Sequence, residues 1–225
     1  MLGAPRGAPD VYALHDPMSE YLDLADWRRR VAALYQTLRM DDRPEPMRLV
    51  AFRAARDRLF SEHPSSPVPA DERADFRGVA YWRHDPALRF TARLEPDPDA
   101  PPLDLPRSGE GPSFPYSRIG WVRFVVDGTP CALAVYWMNE YVGGLFIPFR
   151  DATSGHESYG GGRYLLDSAK GADLGADGEE LVLDFNYAYH PSCVYDSRWS
   201  CPLAPQENWL TVPIRAGERL PEGHA

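Results

Sequence analysis

The apolar residues of this chain change their spacing once, and that change limits the folds open to it. From about Ser19 to Leu38, the positions Leu24, Trp27, Val31, Leu34 and Leu38 recur at three- and four-residue steps with Arg28, Arg29 and Arg30 between them. That spacing predicts an amphipathic helix. A proline-broken turn over Asp41 to Pro46 leads to a second helical run, Met47 to Glu62. It carries Leu49, Phe52, Leu59 and Phe60 on one side and Arg53, Arg56 and Arg58 on the other. The two runs read as a helical hairpin over 18–64 that buries its apolar stripe. The HPSSPVP run from His63 to Pro69 ends it, because proline lacks a donor and drives the residue before it out of the helical region.

Beyond that break the apolar residues alternate. FRGVAYW (Phe76 to Trp82) and LRFTARL (Leu88 to Leu94) are expected to form a hairpin. Glu95 to Pro115, crowded with Pro, Asp and Gly, is expected to be a long surface loop, with a lid as its functional reading. Arg118 to Gly128 and Pro130 to Met138 flank a DGT turn and form the clearest hairpin. GGLFIPF (Gly143 to Phe149), GRYLLD, ELVLDFNYA and NWLTVPI (Asn208 to Ile214) supply further strands. The expected fold is mainly β within the α+β class: an antiparallel β-barrel or roll, or a sandwich, over 76–218, with the N-terminal helical hairpin against it. Residues 1–17 read as a loose leader and 18–225 as a single domain.

A formal charge of −9 argues against a nucleic-acid partner or an anionic membrane surface, and no apolar run is long enough for a membrane helix. No secretory signal precedes the domain, so the chain reads as cytoplasmic, with Cys131, Cys193 and Cys201 as thiols. The basic residues are nearly all arginine; Lys170 is the single lysine.

Polar and special-geometry residues crowd between Phe146 and Pro202. FIPFRDATSGHESYGGGRYLLD, DFNYAYHPSC and CPLAPQENWLTVPIRAGE, with HPSSPV and the FRG strand upstream, together resemble the bacterial and archaeal family catalogued as domain of unknown function 1684. The resemblance runs from about Trp27 to Glu218. It implies one domain with an important motif region and supplies no reaction. Two residues depart from the family pattern: His190 stands where an asparagine is expected, and His156 occupies a freely varying position.

The same residues carry readings of their own. Asp151 and Thr153 suit a side-chain-stabilised turn before Gly155. Gly160, Gly161 and Gly162 lack the lysine and the following helix of a phosphate loop, and read as a tight connection into the next strand. Alternation in GRYLLD sets Arg163 among apolar groups, where a guanidinium demands a carboxylate or an anionic ligand; Asp184 and Glu157 are the expected partners. Continued alternation in LVLDFNYAY would point Asp184 and Asn186 the same way, about 7 Å apart. His190, Cys193 and Cys201, with His156 as a fourth ligand, permit a metal reading. Cys193 as nucleophile, with His190 or His156 as base and Asp184 as orienter, permits a covalent one.

The expectation is therefore an enzyme acting on a small polar or anionic metabolite in a barrel pocket. Glu157 and Asp184 do the acid–base work, supported by Tyr159, Tyr189, His190 and Cys193; Arg163, Asn186 and Thr153 bind substrate. No cofactor class is indicated. The alternatives are a non-catalytic ligand-binding barrel using the same pocket, and a structural network in which every polar group is satisfied internally.

Overall fold

The computed structural model describes residues 17–139 and 143–221, so the expected loose leader lies, apart from Pro17, outside the described residues. Among the described residues, two α-helices precede nine β-strands: α1 (Pro17–Met40), α2 (Glu45–Glu62), β1 (Arg89–Arg93), β2 (Glu95–Pro96), β3 (Pro102–Leu105), β4 (Phe114–Val126), β5 (Thr129–Met138), β6 (Leu145–Phe149), β7 (Arg163–Asp167), β8 (Ala176–Asp177) and β9 (Glu180–Asp184). One sheet has the order β1-β9-β8. The other has β2-β4-β5-β6-β7, with β3 also on β4, and every pair of these strands is antiparallel. The protein is thus mainly antiparallel β with two N-terminal helices. Among the described residues the strand pairing closes neither sheet into a barrel.

The β4–β5 hairpin turns through Asp127 and Gly128, both at positive φ (47° and 79°), the backbone that a two-residue hairpin turn needs. The main core lies between the sheets, where Leu88, Leu183 and Phe185 meet Val122, Phe124, Leu133, Phe149 and Leu165. A second cluster docks the helices: Val31, Tyr35 and Leu38 of α1 and Leu49, Phe52 and Leu59 of α2 pack on Ala172 and Tyr187. The helices therefore cover the chain around residues 172–190.

Three expectations change. Phe76 to Trp82 is not a strand: its one bridge joins Tyr81 to Glu218, outside both sheets, and β1 takes β9 as its partner instead. The Glu95 to Pro115 segment is not a free loop. It holds β2 and β3, which pair with β4 because Leu103 and Leu105 alternate and join the ring cluster around Tyr116. Asn208 to Ile214 forms no regular strand. The Asn208 amide instead imitates a strand partner, accepting from Ala134 N (2.7 Å) and donating to Ala134 O (3.0 Å) and Pro148 O (2.6 Å).

Candidate functional site

The cation of the expected site is a structural knot. Arg163 is 0% exposed, its guanidinium between the rings of Trp82 and Phe149. One terminal nitrogen donates to Asp151 Oδ2 and to the Ile214 carbonyl, both at 2.7 Å, and the other to the carbonyls of Ala216 and Glu218. Its carboxylate is therefore Asp151, and neither Glu157 nor Asp184 pairs with it. Gly217 sits in this turn at φ 75°, where a Cβ would fall 2.4 Å from Ala188 O, so only glycine lets the C-terminal segment come so close. The guanidinium sews the start of β7 to that segment and has no face toward a guest.

The two expected acids are elsewhere. Glu157 is on the surface in a bidentate pair with Arg215, whose hydrogen bonds hold its carboxyl below the usual range. Asp184 ends β9 and caps a short 3-10 turn, Phe185–Tyr187: its Oδ1 accepts from the Asn186 backbone and amide nitrogens, both at 2.9 Å. Alternation stops there because a short Asp side chain bonds the backbone two residues on more easily than it continues a ladder. Burial raises the Asp184 carboxyl, while the Asn186 bonds and Arg89 pull it down. Asn186 in turn clamps Asp85, accepting from its N–H and donating to its carbonyl. Thr153, also buried, bonds Ser158 Oγ at 2.8 Å inside the Asp151 turn. Glu157, Arg163, Asp184, Asn186 and Thr153 thus form no common site, since each is already held by a protein partner.

Tyr159, His190 and Cys193 do come together. The Tyr159 N–H donates to His190 Nε2 (3.2 Å), and the Tyr159 hydroxyl lies 3.9 Å from Cys193 Sγ. His190 is buried, and burial, then the charges of Arg163 and Arg56, depress its pKa to about 3, so the ring is neutral at pH 7. With Nε2 turned to Tyr159, His190 joins neither cysteine as a base or as a fellow ligand. Among the described residues no group of three or more His, Cys, Asp and Glu side chains is placed to hold a metal ion.

The His190 environment makes a prediction about acid. Between an unfolded value near 6.5 and the folded value near 3, the unfolded chain takes up the proton and the folded one does not. This contribution to stability is complete above pH 6.5 and is lost as pH falls through the window, by up to about 1.4 kcal/mol per pH unit. His190→Asn keeps an acceptor for the Tyr159 N–H and removes the titration. Urea unfolding from pH 7 to pH 4 should show the wild type losing stability to the variant progressively. Parallel pH profiles would rule this contribution out.

Between the helices and the 187–201 segment lies a cavity of about 280 Å³. Trp27, Val31 and Tyr35 of α1, Arg56 and Phe60 of α2, Tyr164 of β7, Tyr189, Tyr195 and Trp199 are among the residues that line it. The rings contact one another at its edges: Trp27 with Phe60 (5.6 Å), Phe60 with Tyr195 (5.2 Å) and Tyr164 with Tyr189 (5.6 Å). Burial pushes the phenols of Tyr35, Tyr164, Tyr189 and Tyr195 up, so all four enter the cavity wall protonated. Tyr164 donates to Pro202 O and Tyr195 to Glu218 Oε2. The hydroxyls of Tyr35 and Tyr189 have no hydrogen-bond partner among the described residues, yet neither is sealed inside protein. Two neutral donors therefore open into a ring-walled space.

Arg56 sits on one wall, stacked 4.5 Å from Phe60 and 5.1 Å from Tyr189, with Nε 2.6 Å from Glu218 Oε1. Glu218 is 0% exposed and also accepts from the His190 N–H at 2.8 Å. At the rim, Arg28 and Lys170 are exposed. A larger groove of about 600 Å³ runs along the two helices near Asp23, Asp26 and Arg30, but Asp26 there is already bonded to Arg30 and His63.

Arg56 and Glu218 are the residues sequence reasoning misplaced. Helical spacing assigned Arg56 to the solvent side, and Glu218 was visible only as the last residue of the motif ending in RAGE. The signal for Arg56 is its place one turn after Phe52 and one before Phe60, on the buried side. Of the residues expected to do acid–base work or bind substrate, Tyr189 and His190 line the cavity.

The family model described as "Protein of unknown function (DUF1684)" matches residues 74–219. The solution structure of an uncharacterized protein of Haloarcula marismortui is similar at 38% identity and a TM-score of 0.58, covering 80% of this chain and 96% of that one. No curated protein matches.

Proposed function

The chain belongs to the DUF1684 family of proteins of unknown function, and from that premise we propose that it binds a small organic anion with a planar or apolar body, in the cavity between the helical pair and the 187–201 segment. The observation that carries the reading is the pair of unpartnered Tyr35 and Tyr189 hydroxyls in a wall rich in aromatic rings. A few convergent polar groups in an apolar hollow are what ligand pockets use for orientation. The volume, about 280 Å³, suits a ligand at the small end of the usual range. Exposed Arg28 favours an anionic group at the mouth, while Arg56 is neutralised by Glu218 and Lys170 lies 3.5 Å from Asp167 Oδ2.

The acid–base enzyme reading has less support. Glu157 and Asp184, its two acids, lie outside the cavity and are bonded to Arg215 and Asn186. A cytoplasmic location accords with the three unpaired cysteines.

Calorimetric titration with benzoate and phenylacetate tests the proposal. Tyr35→Phe and Tyr189→Phe should each weaken binding roughly fivefold, the worth of one hydrogen bond. Both variants should melt at the wild-type temperature, because neither hydroxyl bonds to protein. Affinity that is absent, or unchanged in the double variant, would remove the proposal.

A further inference from the structure

Away from the ring-walled cavity, and sharing no residue with it, a second pocket opens where the end of α1 and the start of α2 meet β1 and β9. Its volume is about 140 Å³. That is well below the roughly 300 Å³ at which pockets for organic ligands begin, and it has room for an ion. Three arginines reach it from three elements: Arg39 in the last turn of α1, Arg48 near the start of α2 and Arg89 at the start of β1.

The charges around this pocket do not cancel. Arg48 is spent on the Asp41 carbonyl and on Glu45, whose other oxygen takes the Tyr187 hydroxyl. Arg39 donates to the Asp173 carbonyl and pairs with no carboxylate among the described residues. Arg89 Nε stands 3.8 Å from Asp184 Oδ2, too far for a hydrogen bond. Two guanidinium charges are thus set against the single carboxylate of Asp184, and each retains N–H groups to donate.

Asp184 decides which anion fits. Its side chain is 2% exposed. Oδ1 is committed to the Asn186 backbone and amide nitrogens, whereas Oδ2 accepts no hydrogen bond among the described residues and is not sealed inside protein. The Asn186 bonds and the Arg89 charge favour the ionised form against the burial that opposes it. A carboxylate oxygen beside an anion repels a guest with no proton and accepts from one that carries an O–H.

We propose that this pocket binds hydrogen phosphate and discriminates against sulfate: Arg39 and Arg89 donate to the phosphate oxygens, and the phosphate hydroxyl donates to Asp184 Oδ2. Near neutral pH phosphate retains a proton and sulfate has none, so two ions of the same tetrahedral shape differ here by one hydrogen bond gained and one repulsion avoided. The planar guanidinium fork matches the oxygens of such an ion and stays charged throughout the working pH range. The bound ion ties the helical pair to the β1–β9 sheet.

Nitrogen-15 spectra of the full-length chain at pH 6.5 and constant ionic strength follow the arginine Nε–H signals as sodium phosphate or sodium sulfate is added. The Arg39 and Arg89 signals should move saturably with phosphate, and sulfate should bind roughly tenfold more weakly or worse. Arg89→Gln removes a partly exposed side chain that makes no hydrogen bond among the described residues, and should weaken phosphate roughly tenfold. Asp184→Asn keeps the Oδ1 acceptor that caps the Phe185–Tyr187 turn and puts an amide donor in place of Oδ2, so sulfate should bind this variant as well as phosphate does. If that variant folds poorly, the wild-type ratio of the two anions and the Arg89→Gln loss still decide the matter. Equal affinity of the wild type for both ions, or Arg39 and Arg89 signals that phosphate leaves in place, would overturn the assignment.

Discussion

Arg163→Met should destabilise the protein by about 3–5 kcal/mol, the cost of leaving one member of a buried ion pair without the other. For a chain of this size that is a fall in melting temperature on the order of 10 °C. The reason is visible in what the guanidinium holds: the Asp151 carboxylate and the carbonyls of Ile214, Ala216 and Glu218, all with Arg163 fully buried. A second variant separates charge from hydrogen bonding. Asp151→Asn with Arg163→Met removes the lone carboxylate, and if ion pairing were the whole effect the double variant would return close to wild type. Three carbonyls still lack donors, so it should stay roughly 2 kcal/mol or more below wild type. Thermal unfolding of the three proteins reads this directly. An Arg163→Met protein as stable as wild type, but unable to bind ligand, would restore the substrate-clamp reading.

Glu218→Ala should have an effect of similar size, about 3–5 kcal/mol, for a related reason. Its carboxylate joins α2 to the 190–195 segment: Oε1 takes the Arg56 Nε–H, and Oε2 takes the His190 N–H and the Tyr195 hydroxyl. Removing it leaves Arg56 charged and buried beside two unsatisfied donors. Glu218→Gln keeps an acceptor for His190 but not the counter-charge, so most of the loss should persist if charge pairing dominates. Denaturant midpoints for the two variants decide the point, and a Gln variant near wild type would assign the effect to the hydrogen bonds. The helices should be the first element to loosen, which hydrogen exchange in α2 would report.

The broad architecture was legible because period is a direct readout of which face is buried. α1, α2, β4 and β5 lie where the three-to-four-residue steps and the alternation put them. What misled is equally specific. Alternation in Phe76 to Trp82 and in Asn208 to Ile214 was real, but side-chain hydrogen bonding and single bridges, as at Asn208 and Tyr81, replaced ladder pairing. In Glu95 to Pro115 the prolines concealed two short strands that β4, being long, could recruit along its edge.

The motif-dense stretch contributes its 187–201 part to the wall of the proposed cavity, while Glu157, Arg163, Asp184, Asn186 and Thr153 lie outside it. A buried arginine does demand a carboxylate, but the sequence offers Glu157 and Asp184 as readily as Asp151, and only the fold selects Asp151. Clustering of Tyr159 with His190 and Cys193 depends on two turns meeting in space, which spacing along the chain does not encode. The cavity itself depends on α1 and α2, whose aromatic residues read as ordinary core.

The proposed ligand site is tested most directly by the indole N–H resonances of a nitrogen-15-labelled sample titrated with benzoate or phenylacetate. Six tryptophans report on six places, with Trp27 and Trp199 in the cavity wall and Trp82 against Arg163. Trp27 and Trp199 should shift together and saturably while Trp82, Trp121, Trp137 and Trp209 stay in place. A shift of Trp82 with Trp27 and Trp199 unmoved would instead put the guest at the buried arginine and contradict this account.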